Sequence, residues 1–156
     1  MRRTVAAILG TRAPNSPDAA VEWAKRAAIA IDEIQRRAND EYRGVFTHTT
    51  TNTATFETAW TSDSLPENSA SAVDAEIIAL ATDGSAARYR IAGLFKRATG
   101  TASQVGATAA VVPAIEDVAG WAVQFSTSGN SALVQVQGDA ARVVGWTVYV
   151  TVRELV

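Results

Sequence analysis

The chain has 156 residues, 47% of them hydrophobic and 7% aromatic, with a formal net charge of −2 and no cysteine, which excludes disulfides, thiolate zinc clusters and thiol chemistry. Residues 1–43 carry eight Lys/Arg and six Asp/Glu and residues 44–156 carry six and ten; neither half is basic enough for a nucleic-acid footprint, and no stretch approaches the roughly 18–20 apolar residues of a membrane span. Alanine accounts for 31 residues and contributes little transfer energy, so large apolar side chains are scarce for a well-buried monomer and the balance points to burial between chains.

The start, MRRTVAAILG, has the arginines of a signal peptide, but its apolar run is about five residues long against the roughly 7–15 of a signal h-region. Residues 1–15 therefore read as an arm of a soluble chain, ending in a breaker at Pro14 and Asn15. A helix follows within residues 16–41. Ser16 suits the N-cap, Pro17 the first helical position, Asp18 and Glu22 the positive end of the dipole, and Arg36 and Arg37 the other end. A helix over residues 17–39 is roughly 35 Å long.

Ala20, Ala24, Ala27, Ile31, Ile34 and Ala38 step by 4, 3, 4, 3, 4, which is a heptad seam. Two readings fit: a helix packed on its own β-domain, or a short parallel bundle in a homo-oligomer, with Trp23 and Ile29 facing a neighbouring domain.

After Gly44 the apolar period changes to two. Strand patterns recur near residues 44–50, 53–60, 72–81, 87–96, 105–112, 120–126, 132–137 and 143–153, with turn chemistry at Pro66-Glu67-Asn68, Asp83-Gly84, Ser128-Gly129-Asn130 and Gly138-Asp139. About eight short strands over residues 42–156 predict a mainly β fold with one N-terminal helix: an antiparallel β-sandwich, jelly-roll-like. In the second pattern Ala54, Phe56, Thr58 and Trp60 share one side. In the last, Val144, Trp146, Val148, Val150 and Val152 face one way, and Trp121, Val123 and Phe125 supply a matching inner face. Trp121, Val123, Phe125, Val144, Trp146, Val148 and Val150 are the expected core.

The hairpin at Asp83-Gly84 has two possible registers. A two-residue loop pairs Ile78 with Tyr89 and sets Glu76 beside Ile91; a three-residue loop brings Glu76 near Arg90. In either case charges share a face with large apolar groups, which suits a sheet whose outer face meets another subunit.

Residues with catalytic potential are few. His48 is the single histidine, so histidine-based metal sites and a Ser-His-Asp triad have little support. Neither G-x-x-x-x-G-K-[ST] nor G-x-G-x-x-G occurs. Asp74/Glu76 lie two apart on one strand face, as acid/base carboxylates would, and Glu116/Asp117 are adjacent in a loop; solvated or ion-paired surface roles are expected for both. No cofactor or metal is expected, and the chain reads as a non-enzyme.

The stretch Ala87-Arg88-Tyr89-Arg90-Ile91-Ala92-Gly93-Leu94-Phe95-Lys96-Arg97 is followed by Gly100-Thr101, Gln104-Val105-Gly106, Glu116 and Ala119-Gly120-Trp121. Ser128-Gly129-Asn130, Val134-Gln135-Val136, Val144-Gly145-Trp146 and Val150-Thr151-Val152-Arg153-Glu154 complete the pattern. It resembles a β-domain of tailed-bacteriophage virion proteins: fibre, appendage and decoration proteins. The resemblance covers a little over half the chain. It implies a homotrimeric virion structural module, made in the bacterial cytoplasm and attached through residues 1–15 to other virion proteins (capsid, collar or tail). The chain lacks the extended shaft of a long fibre, which favours a short fibre, a head decoration or an adaptor. The alternative is a receptor- or carbohydrate-binding tail protein, carried by Trp60 or Tyr42, by residues 61–70 and 98–104, or by Trp121 or Trp146.

Overall fold

A computed structural model describes residues 25–29 and 41–155. The chain divides into two units, Met1–Asp40 and Glu41–Val156. In the first, residues 25–29 are helical, with Ala27 half-buried. The arm at residues 1–15 and the other seam positions, Ala20, Ala24, Ile31, Ile34 and Ala38, lie outside the described residues.

The second unit holds nine strands: β1 Glu41–Thr51, β2 Glu57–Thr61, β3 Ser69–Ala81, β4 Ala86–Arg97, β5 Ser103–Ala110, β6 Ile115–Glu116, β7 Ala122–Ser128, β8 Ser131–Gln137 and β9 Val143–Leu155. They form two antiparallel sheets. The larger runs β1-β9-β3-β4-β5, with β6 also pairing with β4; the smaller runs β2-β8-β7. A six-plus-three division with a β3-β4-β5 meander differs from the eight strands and two Greek keys of a jelly roll. Strand β6 is a ninth element that the sequence reading treats as loop.

Each long strand has period two because one face is buried against the other sheet. In β3, Val73, Ala75, Ile77, Ala79 and Ala81 point inward, alternating with Ala72, Asp74, Glu76, Ile78 and Leu80. In β9, Val144, Trp146, Val148, Val150 and Val152 point inward and are buried. From the smaller sheet come Trp60, Phe125, Val134 and Val136, with Val123 partly buried against them. Trp121 is buried and stacks obliquely on Trp146 at 5.8 Å.

The alanines have places in this core. One row across the large sheet reads Trp146, Ala79, Ala87, so two small side chains lie in succession on one side of the largest one and leave space for Trp121. Another reads Val150, Ala75, Ile91. Close packing needs such alternation of large and small, since interiors hold few voids.

Strand β2 departs from expectation. Strand β1 ends at Thr51, and Asn52 takes a positive φ of 48°. Residues 53–56 are therefore irregular, and β2 starts only at Glu57 with a register shift between Thr58 and Trp60. The expected face Ala54-Phe56-Thr58-Trp60 does not form: Trp60 is buried and Phe56 is exposed. The bulge breaks the parity on which that face depends.

Candidate functional site

The β3–β4 hairpin decides what the outer face of the large sheet presents. Ala81 and Ser85 close a three-residue loop, with the Ala81 N–H donating to the Ser85 carbonyl at 2.9 Å. Gly84 sits at φ +89°, the left-handed position that such a loop requires. Glu76 then lies opposite Arg90, and Ile78 opposite Arg88. Of the two registers open from the sequence, the three-residue one forms.

With this register Asp74, Glu76, Ile78, Leu80, Arg88, Arg90 and Leu94 share the outward face. The Arg153 guanidinium donates to Asp74 Oδ2 at 2.8 Å and Arg88 to Glu76 Oε1 at 2.7 Å. Both acids are thus held in cross-strand ion pairs that stay partly open to water. Around them Val45, Ile78, Leu80, Leu94, Ile115 and Tyr149 are exposed, Leu80 at 61% and Ile115 at 65%. The outside of the smaller sheet exposes no large apolar side chain of β7 or β8 by contrast, Leu133 being buried, and there the Gln124 amide donates to Gln135 Oε1 at 2.9 Å.

The second carboxylate pair is also engaged. Glu116 lies in β6, where Oε2 accepts the Tyr89 hydroxyl at 2.5 Å, and Asp117 Oδ2 accepts the Ala86 N–H at 2.9 Å. Burial, and then the carboxylate of Glu116, push the Tyr89 phenol above its ordinary value. His48 points inward at the β1 edge, with Nε2 2.8 Å from Glu57 Oε2, so it bridges the two sheets. Among the described residues no group of three or more His, Cys, Asp or Glu is placed to hold a metal ion.

A further cluster joins two residues expected in turns, Asp83 and Asp139, to the expected core residue Trp121 through Arg142, which no sequence expectation includes. Asp139 Oδ2 accepts the Trp121 indole N–H at 2.9 Å, and Arg142 donates to both Asp139 and Asp83. The hydrogen bond from Arg142 is the largest cause that lowers the Asp83 carboxyl to about 2. The Trp121 indole, and then the Ala141 N–H, hold Asp139 below the usual carboxylate range. The guanidinium of Arg142 is raised in turn, first by Asp83. Its chemistry is structural, since it ties the β3–β4 turn and the β8–β9 connection to the core tryptophan. The signal in the sequence is the Gly138-Asp139 turn followed three residues later by arginine.

The aromatic carriers of the sugar-binding alternative fare unevenly. Trp60, Trp121 and Trp146 are buried at 4%, 3% and 1% exposure, whereas Tyr42 is exposed. A ring closed into the core has no face to offer a sugar, so these tryptophans do not carry that reading.

Comparison with known proteins gives little. No family model and no curated protein matches the chain. A solved tailspike protein, gp49 of Acinetobacter baumannii bacteriophage Fri1, described as a capsular polysaccharide depolymerase, aligns with 14% identity and a TM-score of 0.31. The alignment covers 75% of this chain and 20% of the tailspike, so the chain spans about one fifth of that protein's length.

Proposed function

We propose that this chain is a non-enzymatic bacteriophage virion structural protein, a short homotrimeric fibre, decoration or adaptor component attached through its N-terminal region. One observation carries the reading. Ten of the residues behind the virion-protein resemblance are framework: Tyr89, Ile91, Phe95, Trp121, Val134, Val136, Val144, Trp146, Val150 and Val152 are buried core. The carboxylates with acid/base spacing, Asp74 and Glu76, are held by arginines. Both features support a scaffold role over a reaction centre.

The separate N-terminal unit supports the attachment role. In the trimer the seam at Ala20, Ala24, Ala27, Ile31, Ile34 and Ala38 forms a short parallel bundle. Small side chains at these positions allow close helix approach.

Sedimentation analysis of the purified chain at micromolar concentration tests the oligomer: three-chain mass is expected, and a stable monomer overturns the trimer. Electron cryomicroscopy of intact particles tests the virion role. Its expected result is density for the β-unit in a copy number divisible by three, and absence from the particle overturns it. Glycan-array binding that depends on Tyr42 would favour the receptor-binding alternative.

A further inference from the structure

We infer that the outward face of the six-stranded sheet seats a second copy of this chain. The inference deepens the homotrimer reading by giving the β-unit its own contact surface.

A sheet that faces water on its outer side alternates apolar-in with polar-out. The smaller sheet follows this rule more closely: its outer side carries the Gln124–Gln135 pair, and the apolar Leu133 on that parity is itself buried. The larger sheet breaks it. Val45, Ile78, Leu80, Leu94, Ile115 and Tyr149 are each at least 44% exposed, and the register places them on the same face. They are spread over β1, β9, β3, β4 and β6, so the apolar area spans the sheet. Exposed apolar side chains gathered on one face, among charged neighbours, mark an interaction site.

Size and charge identify the occupant. Five strands about 4.8 Å apart, most of them 11–13 residues long, cover roughly 900 Å². A stable protein interface buries about 800 Å² on each partner. The acids Asp74 and Glu76 are answered within the face by Arg153 and Arg88 at 2.8 and 2.7 Å. Arg90 and Lys96 stand exposed on the same face beyond these pairs, so the face is net positive, and a copy of net charge −2 offers the opposite sign. A two-fold pairing sets two of these net-positive faces against each other, and like charges oppose this. A head-to-tail ring does not, and such contacts close into trimers.

The cysteine-free chain permits a direct test on the full protein. Maleimide labelling of Ile78→Cys is compared with that of Ser128→Cys, an exposed position at the end of β7, at micromolar concentration. Labelling of Ile78→Cys should be roughly tenfold slower than the control and should approach it on dilution, as the free fraction rises. In sedimentation, the double variant Ile78→Lys/Leu80→Glu should run as a lighter species than wild type with unchanged near-ultraviolet circular dichroism.

Equal labelling rates overturn the inference, as does a double variant that keeps wild-type mass. Slow labelling that does not respond to dilution, in a chain of monomer mass, assigns the face to another part of the same chain and also overturns it. A wild-type dimer that the double variant dissociates upholds the face and refutes the trimer. A trimer that dissociates with Ile31→Asp/Ile34→Asp but not with the double variant upholds the seam and refutes the face.

Discussion

The indole N–H of Trp146 donates to the hydroxyl of Thr50 at 3.0 Å, and both side chains are fully enclosed. This bond joins β1 to β9 across 96 positions of sequence. Thr50→Val keeps the shape but leaves the indole donor buried without an acceptor. The expected loss is about 1–3 kcal/mol in urea unfolding, and Thr50→Ser should retain most of the stability. Gly138 belongs to the same contact: a Cβ there would lie 2.6 Å from Thr50 Oγ1. Gly138→Ala should destabilise by about 1–3 kcal/mol through overpacking.

Gly93 holds space for an aromatic pair. Phe95 and Phe125 meet edge to face at 5.5 Å, and a Cβ on Gly93 would come within 2.8 Å of Phe125 and 3.2 Å of Phe95. Gly93→Ala should lower the urea midpoint by an amount equivalent to about 1–3 kcal/mol. Gly145→Ala is the matched comparison. Its new methyl would meet nothing closer than the Leu80 carbonyl at 3.7 Å, so a change within about 0.5 kcal/mol is expected.

Acid stability should report on Arg142. Asp83 is lowered from 3.8 to about 2 and Asp139 is lowered as well. A carboxyl depressed in the folded state contributes stability above its unfolded value, and that contribution is lost as pH falls through the folded value. The window for Asp83 therefore runs from about 3.8 down to about 2. Carboxyl-carbon NMR titration should place the Asp83 midpoint near the bottom of that window. In Arg142→Gln the midpoint should move up toward 3.8; an unmoved midpoint would remove Arg142 as the cause.

At the alkaline end Tyr89 sets the behaviour. Its phenol is raised above 10.0, first by burial and then by Glu116. A group raised in the folded state contributes stability below its unfolded value and loses it as pH rises through the folded value. Ultraviolet titration should show one of the three tyrosines ionising only at strongly alkaline pH, and Tyr89→Phe should remove that step.

The ion pairs on the outer face should matter little to the folded chain alone. Asp74, Glu76, Arg88 and Arg153 keep 37–53% side-chain exposure, and exposed pairs contribute about 0–1 kcal/mol. Asp74→Asn and Glu76→Gln should each leave thermal unfolding nearly unchanged when measured at a dilution that keeps the protein monomeric.

Strand alternation was legible wherever a strand stays regular along its length. In β9 the order Val144, Trp146, Val148, Val150, Val152 reads directly as an inner face, because burial of one side imposes a period of two on the residues themselves. The same argument failed at Ala54, Phe56 and Thr58, which do not share a buried face with Trp60. A register shift in β2 and the positive φ at Asn52 change parity without changing composition. The hairpin at Gly84 was half legible: the turn was visible, but one residue of loop length decided whether Glu76 met Ile91 or Arg90.

The sequence by itself determined the local features: a β-rich second part, where most chain reversals fall, and which residues of β9 turn inward. These depend on neighbours two to four positions apart, whose preferences are written in adjacent side chains. Only the tertiary structure decided that β3 lies between β9 and β4, that the Trp121 indole meets Asp139, and that Ile78, Leu80 and Ile115 gather on one outer face. Those outcomes depend on which strands compete to bury the same surface, a choice made between residues far apart in the chain. The alanine excess belongs to both levels. Its count was plain from composition, but its use beside Trp146, at Ala79 and Ala87, follows from the sheet order that sets them in one row.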